Sequence, residues 1–214
     1  MTKKEITLLA VDALKREYPE AICSLNYKNA YELLVATRLS AQCTDARVNI
    51  VTPALFKRFP TPFDLANGKL AEVEELIKTC GLYKTKAQDL IGIGKMLYHN
   101  YNSVVPNNIE ELIKLPGVGR KTANLVCGDI YKQSAVVTDT HFIRITNRLG
   151  LVNTTNPKKV EDQMRKLLPE AESNDFCHRT VLHGRSVCKA QKPLCKNCVM
   201  NAFCKKKGVK LQNG

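Results

Sequence analysis

No apolar run approaches the roughly 18 residues that a bilayer-spanning helix needs. That excludes a helical membrane protein. The first twenty residues, MTKKEITLLAVDALKREYPE, contain no small-residue cleavage site and carry charges on both sides of a short apolar stretch. They read as an amphipathic helix, not an export signal. No Gly/Ser linker interrupts the chain and no repeat of fixed period occurs. Strand-like runs are limited to Val104-Val105 and residues 135–137, too short and isolated to build a sheet. Acidic residues are absent from Phe176 to Gly214. The nine cysteines are an odd number, which argues against a fully paired disulfide set and for a reducing, cytoplasmic setting.

What remains is ordinary for a globular protein: 214 residues, 44% hydrophobic and 25% charged. That length suits one large domain or two small ones. The net charge is +13 and unevenly placed. The acid-free C-terminal segment holds nine basic residues: Arg179, Arg185, Lys189, Lys192, Lys196, Lys205, Lys206, Lys207 and Lys210. A basic end of this kind suits a polyanion, nucleic acid first. A solvated lysine tail accounts for it equally well.

Apolar residues recur at helical spacing nearly throughout. Ile6, Leu9 and Leu14 do so at the start, then Tyr31, Leu34, Val35 and Leu39, and further on Leu90, Ile93, Met96 and Leu97. Thr44, Thr61-Pro62 and Asn108 with Glu111 have the form of helix starts. The pattern predicts an all-α protein of about nine or ten helices.

The segment LPGVGRKTA, residues 115–123, is the most informative. Pro116 blocks one helix, Gly117 and Gly119 free the backbone, and Arg120-Lys121-Thr122 opens the next helix. Amides exposed at such a turn, beside a helix N-terminus, form a cradle for phosphate. A tight corner with a glycine cap would use the same residues. Lys121 sits in a first helical turn, where a cation is mildly disfavoured. That disadvantage lowers the amine's proton affinity, as a nucleophile requires.

LPGVGRKTANLV, followed by VTDTHFIRITNRLGL, resembles the endonuclease III family of helix-hairpin-helix DNA glycosylases. The likeness extends to LSAQCTDARVN and TCGLYKTKA, and so covers nearly the whole chain. It implies that Lys121 attacks the sugar C1′ of a damaged nucleotide and that Asp139 assists. It also implies base removal coupled to strand nicking through a Schiff base, with oxidised pyrimidines as substrates. By the same resemblance Gln42 fills the space left by an everted base and Leu82 wedges the opposite strand. Gly117, Val118, Gly119, Arg120, Thr140, His141, Arg144 and Lys192 are the further expected DNA contacts. For Arg144 and Arg148, which share a helix face, solvation is an equal alternative to phosphate contact. Thr138 stands where the family commonly has Val.

Cys188, Cys195, Cys198 and Cys204 form a C-x6-C-x2-C-x5-C array with no histidine among them. Spacing alone leaves an all-cysteine zinc site and a [4Fe–4S] cluster both open. The match to the family's cluster loop implies [4Fe–4S]. The other five cysteines are expected in packing, with Cys43 the one placed to be exposed and reactive. The resemblance also implies two lobes with a DNA groove between them. One is a six-helix lobe over residues 23–133, with the hairpin at about 108–131. The other combines 1–22 with 134–214 and carries the cluster loop 188–204. The expected protein is a monomer acting on double-stranded DNA that contains damaged bases or abasic sites, away from membranes. A non-catalytic DNA-binding module, a zinc-stabilised interaction domain and a monofunctional mismatch glycosylase are the competing readings.

Overall fold

The computed structural model describes residues 1–209, so Lys210, the last of the basic residues named above, lies outside it. Helix α1 is Lys3–Glu17, followed by α2 (Ala30–Leu39), α3 (Asp45–Arg58), α4 (Pro62–Ala66), α5 (Leu70–Ile77), α6 (Tyr83–Tyr101), α7 (Ile109–Leu112) and α8 (Arg120–Asp129). The chain continues with α9 (Thr140–Leu149), α10 (Pro157–Arg165) and α11 (Ser173–Ser186), and has 3₁₀ turns at Glu170–Glu172 and Cys195–Asn197. No strand forms among the described residues, in keeping with the all-α reading. Eleven α-helices form among the described residues, against nine or ten expected, and the short α4 and α7 begin at the expected starts Thr61 and Asn108. No helix among the described residues is long and apolar enough to cross a membrane.

The chain forms two compact units, Cys23–Lys132 and Met1–Ile22 with Gln133–Gly214. The first holds α2 to α8, one helix more than six. Its helix starts follow from side-chain caps. Thr44 accepts from the Arg47 amide, and Thr61 and Asp64 cap each other reciprocally with Pro62 at the first helical position. Asn108 accepts from the Glu111 amide, but the Glu111 carboxylate turns to Lys114 and Tyr101, so the capping box is only half made. Ala87, Leu90, Ile93 and Leu97 form one fully buried stripe on α6, against α4 and α5.

In the second unit, Ile6, Ala10 and Leu14 turn α1 onto α11, which in turn packs on α9. Leu9, expected in that stripe, is 42% exposed, because its position lies at the flank of the face that Ile6, Ala10 and Leu14 bury. The rings of Phe142 on α9 and Phe176 on α11 meet edge to face with centroids 6.0 Å apart.

Candidate active site and cysteine-lined cavity

The hairpin lies within the unit Cys23–Lys132. Helix α7 ends at Leu112, and the Val118 amide donates to the Leu115 carbonyl at 3.1 Å to close the turn. Gly117 sits at φ +66° directly over Arg38 and Asp89. A Cβ there would lie 2.2 Å from Arg38 Nε, so the turn requires glycine by both conformation and space. Arg38 Nε donates to Asp89 Oδ2 at 2.8 Å, and the pair is mostly buried. The cation beneath the turn is therefore already neutralised. Gly119 is the N-cap of α8 and supplies no side-chain cap, and a Cβ on it would meet nothing within 4 Å. The first helical bond is that of the Ala123 amide to Gly119 O, so the amides of residues 120–122 precede the ladder and face an open approach.

Lys121 is exposed in this first turn and forms no hydrogen bond or ion pair among the described residues. Gly117 and Gly119 are exposed, and Arg120 is half-buried. Val118, one of the expected DNA contacts, is turned inward. Its side chain is 6% exposed, and its amide is spent inside the turn.

Gln42 and Leu82 lie in two loops of the same unit. Each holds a left-handed backbone, φ 52° and φ 58°, that branched or bulky residues rarely adopt. Each is exposed, Leu82 by 59%. The loops adjoin, since a Cβ on Gly81 would lie 3.1 Å from the Gln42 carbonyl. Strained conformations on exposed side chains persist only where surrounding structure enforces them. Part of that enforcement is Lys86, which has no exposed surface and donates from Nζ to Leu39 O at 2.8 Å. One bond thus joins the start of α6, just after Leu82, to the end of α2, just before Gln42. Burial pulls the Lys86 ammonium below its ordinary value.

The remaining residues lie in the other unit. Asp139 is the N-cap of α9, its Oδ1 accepting from the Phe142 amide at 2.7 Å. Thr140 is exposed at the first position of that helix. His141 Nδ1 lies 3.0 Å from Arg144 Nη2, and burial pulls the imidazole below its usual range. Arg144 already has acceptors within its own unit. Its guanidinium also donates to the carbonyls of Gly184 and Cys188, each at 3.0 Å, and so braces the chain around residue 188. Arg148 behaves likewise, donating to the carbonyls of Lys189 and Ala190 at 2.7 and 2.9 Å.

Cys188, Cys195, Cys198 and Cys204 line one pocket, with Ile145, Leu149 and Met200 among its apolar walls. Arg148 Nη1 donates to Cys188 Sγ at 3.2 Å, and the Lys206 amide donates to Cys204 Sγ at 3.4 Å. His183 Nε2 lies 3.3 Å from Cys198 Sγ. Burial pushes the Cys198 thiol up to about 11, and the other three sulfurs push it further the same way. Four thiolates can share this space only around a strongly positive centre. Among the described residues, no group of three His, Cys, Asp or Glu is drawn together as a site for a single metal ion. Four soft donors lining a larger apolar cavity fit a polynuclear iron–sulfur group. Lys189, Lys192 and Lys196 stand exposed on the loop outside it, Lys192 with φ 48°.

The family described as HhH-GPD superfamily base excision DNA repair protein matches residues 35–170. Endonuclease III of Synechocystis sp. is 45% identical over 204 residues, covering 95% of this chain and 93% of that protein. Endonuclease III of Bacillus subtilis is 39% identical, covering 91% and 90%. The chain belongs to the endonuclease III family. It is therefore a base excision repair enzyme, a DNA glycosylase and lyase. Among solved structures, a trapped endonuclease III–DNA covalent intermediate matches with TM-score 0.90 at 40% identity, covering 96% of this chain and 97% of that one.

Within this endonuclease III fold, one unit brings together Gln42, Leu82, the hairpin glycines and Lys121. The other holds Asp139, Thr140, His141, Arg144 and the four cysteines. Residue-by-residue reading missed the Arg38–Asp89 pair and Lys86. A basic residue on a helix is solvated by default, and only the tertiary contact reveals otherwise.

Proposed function

We propose that the chain excises oxidised pyrimidines from duplex DNA and then nicks the strand, with Lys121 as nucleophile and Asp139 as its carboxylate partner. The observation that carries this reading is an exposed amine with no hydrogen bond or ion pair among the described residues, at a helix start that no side chain caps. The amides seat a phosphate, which sets the distance from backbone to sugar. Lys121 Nζ then attacks C1′ and forms the C–N bond while the bond from C1′ to the base breaks. Asp139 stabilises positive charge on the sugar and takes up the amine's proton. Ring opening leaves a Schiff base, whose acidified C2′ hydrogen departs as the C3′–O bond breaks. A protein 40% identical to this one was trapped as a covalent intermediate with DNA, which supports the covalent route. In this reading Gln42 and Leu82 fill and wedge the opened stack, offsetting the few kcal/mol that base eversion costs.

Cys188, Cys195, Cys198 and Cys204 would hold a [4Fe–4S] cluster. Bound there, such a cluster would supply a cationic core beside which four half-buried thiolates can coexist, and these cysteines would clasp the loop. Lys189, Lys192 and Lys196, held outward, would meet phosphates on either side of the lesion. The partner is double-stranded DNA with damaged bases or abasic sites, met in the cytoplasm of a bacterium by a monomer.

Borohydride trapping on an abasic duplex tests the assignment. Lys121→Ala is expected to abolish the trapped complex, and undiminished trapping would remove Lys121 from its role. Asp139→Asn is expected to lower turnover by about 10²-fold or more, while binding is retained.

A further inference from the structure

Beneath the Gln42 and Leu82 loops lies a cluster that the reaction does not use: Cys43, Cys80 and Lys86. Cys43 follows Gln42 and is half-buried, whereas Cys80, two residues before Leu82, is 1% exposed. The approach of Gly81 to the Gln42 carbonyl sets the loops side by side. Cys43 and Cys80 flank that contact, one residue after Gln42 and one residue before Gly81. The Lys86 ammonium is fixed on Leu39 O at 2.8 Å, and its charge and that of Arg47 act on Cys80 against the effect of burial. Two thiols on either side of one loop contact, one of them within reach of solvent, are the elements of a dithiol that an oxidant can close.

We propose that Cys43 and Cys80 are a redox pair that hydrogen peroxide converts to a disulfide, tying the Gln42 loop to the Leu82 loop and weakening the hold on DNA. Cys43 is the attacking thiol. Its thiolate takes one peroxide oxygen, the O–O bond breaks, and the hydroxide released combines with the thiol's proton as water. The resulting sulfenic acid is attacked by the Cys80 sulfur. The S–S bond forms, and the sulfenyl hydroxyl leaves with the Cys80 proton as a second water. Each sulfur gives up one electron, and peroxide takes both. Burial pushes the Cys80 thiol up to about 11 and keeps it protonated, so the first attack on peroxide falls to the more exposed Cys43. Bonding draws together two segments that already touch at Gly81, so neither Gln42 nor Leu82 keeps its position. The effect on DNA rests on the wedge reading of those two residues. Formation of the bond does not.

The test uses reduced holoprotein treated with hydrogen peroxide, alkylated and digested with trypsin, alongside anisotropy titration of a duplex with a tetrahydrofuran abasic analogue. The expected result is a linked pair of peptides, 39–47 with 79–84, and affinity lowered several-fold and restored by dithiothreitol. Cys43→Ser, which leaves the buried Cys80 in place, is expected to show neither change under the same treatment. It also corrects for any attack of peroxide on the cluster. Peptides that remain separate and alkylated overturn the proposal, and so does a linked pair with unchanged affinity. Failure of the enzymatic reading would look different: the reduced protein would neither bind the analogue nor trap abasic DNA.

Discussion

The two units use their polar groups in opposite ways. In Cys23–Lys132, groups able to meet a ligand are left open. Lys121 has no hydrogen bond or ion pair among the described residues, Gly119 gives α8 no side-chain cap, and Gln42 and Leu82 are held exposed in unfavourable backbone conformations. In the unit of Met1–Ile22 and Gln133–Gly214, candidate ligand-binding groups turn inward. Arg144, Arg148 and His183 all reach toward residues 184–198, and Asp139 caps its own helix. One unit keeps strain and unused donors at its surface. The other consumes its donors to hold an irregular segment around four sulfurs. A cationic side chain on a helix face is therefore poor evidence of a DNA contact until its acceptors are known.

The contrast breaks most visibly at the cysteines. Extraction of the metal centre, or Cys198→Ser, is expected to cost several kcal/mol of stability and to expose the chain between 187 and 205 to protease. Peptide mapping of a limited digest checks this. Cleavage spread evenly over both units would mean that the closure argued here is not local. Next in size is Gly117→Ala. Its Cβ collides with Arg38 and its φ is positive, so a loss of about 2–3 kcal/mol is expected, read by denaturant unfolding and accompanied by weaker DNA binding.

Leu82→Gly sharpens the comparison, because strain kept for function should be recoverable as stability. Thermal unfolding is expected to show a gain of about 1 kcal/mol, while affinity for a lesion duplex falls. A destabilised variant would mean that Leu82 is simply packed. The smallest effect belongs to Glu172, whose carboxyl is held below its usual value by Lys15, against the opposing push of burial, and then by Arg179. A depressed carboxylate contributes stability above its unfolded value and loses it as pH falls through the folded one. Stability is therefore expected to decline below about pH 4.5, and Glu172→Gln to flatten that limb of the curve.

Much of the helical framework was legible because its signals are local. Thr44, Thr61 and Asn108 cap helices within three residues of themselves, and the α6 stripe follows from spacing alone. At the site, glycine at 117 announced a special turn, but not that Arg38 and Asp89 lie under it. The left-handed backbone at Gln42 and Leu82 has no residue signature, since neither is Gly or Asn. For Arg144 phosphate contact and solvation were equally open, because the acceptors it meets, the carbonyls of Gly184 and Cys188, are forty or more residues away in sequence.

The neutral ion pair under Gly117 has a consequence for how such a protein would search. A phosphate seated on the hairpin is held by amides, which carry no formal charge and so displace few condensed counterions. That grip persists in brine, whereas the lysine-bearing loop lets go. Ionic strength would then separate sliding along intact duplex from lodging at a defect.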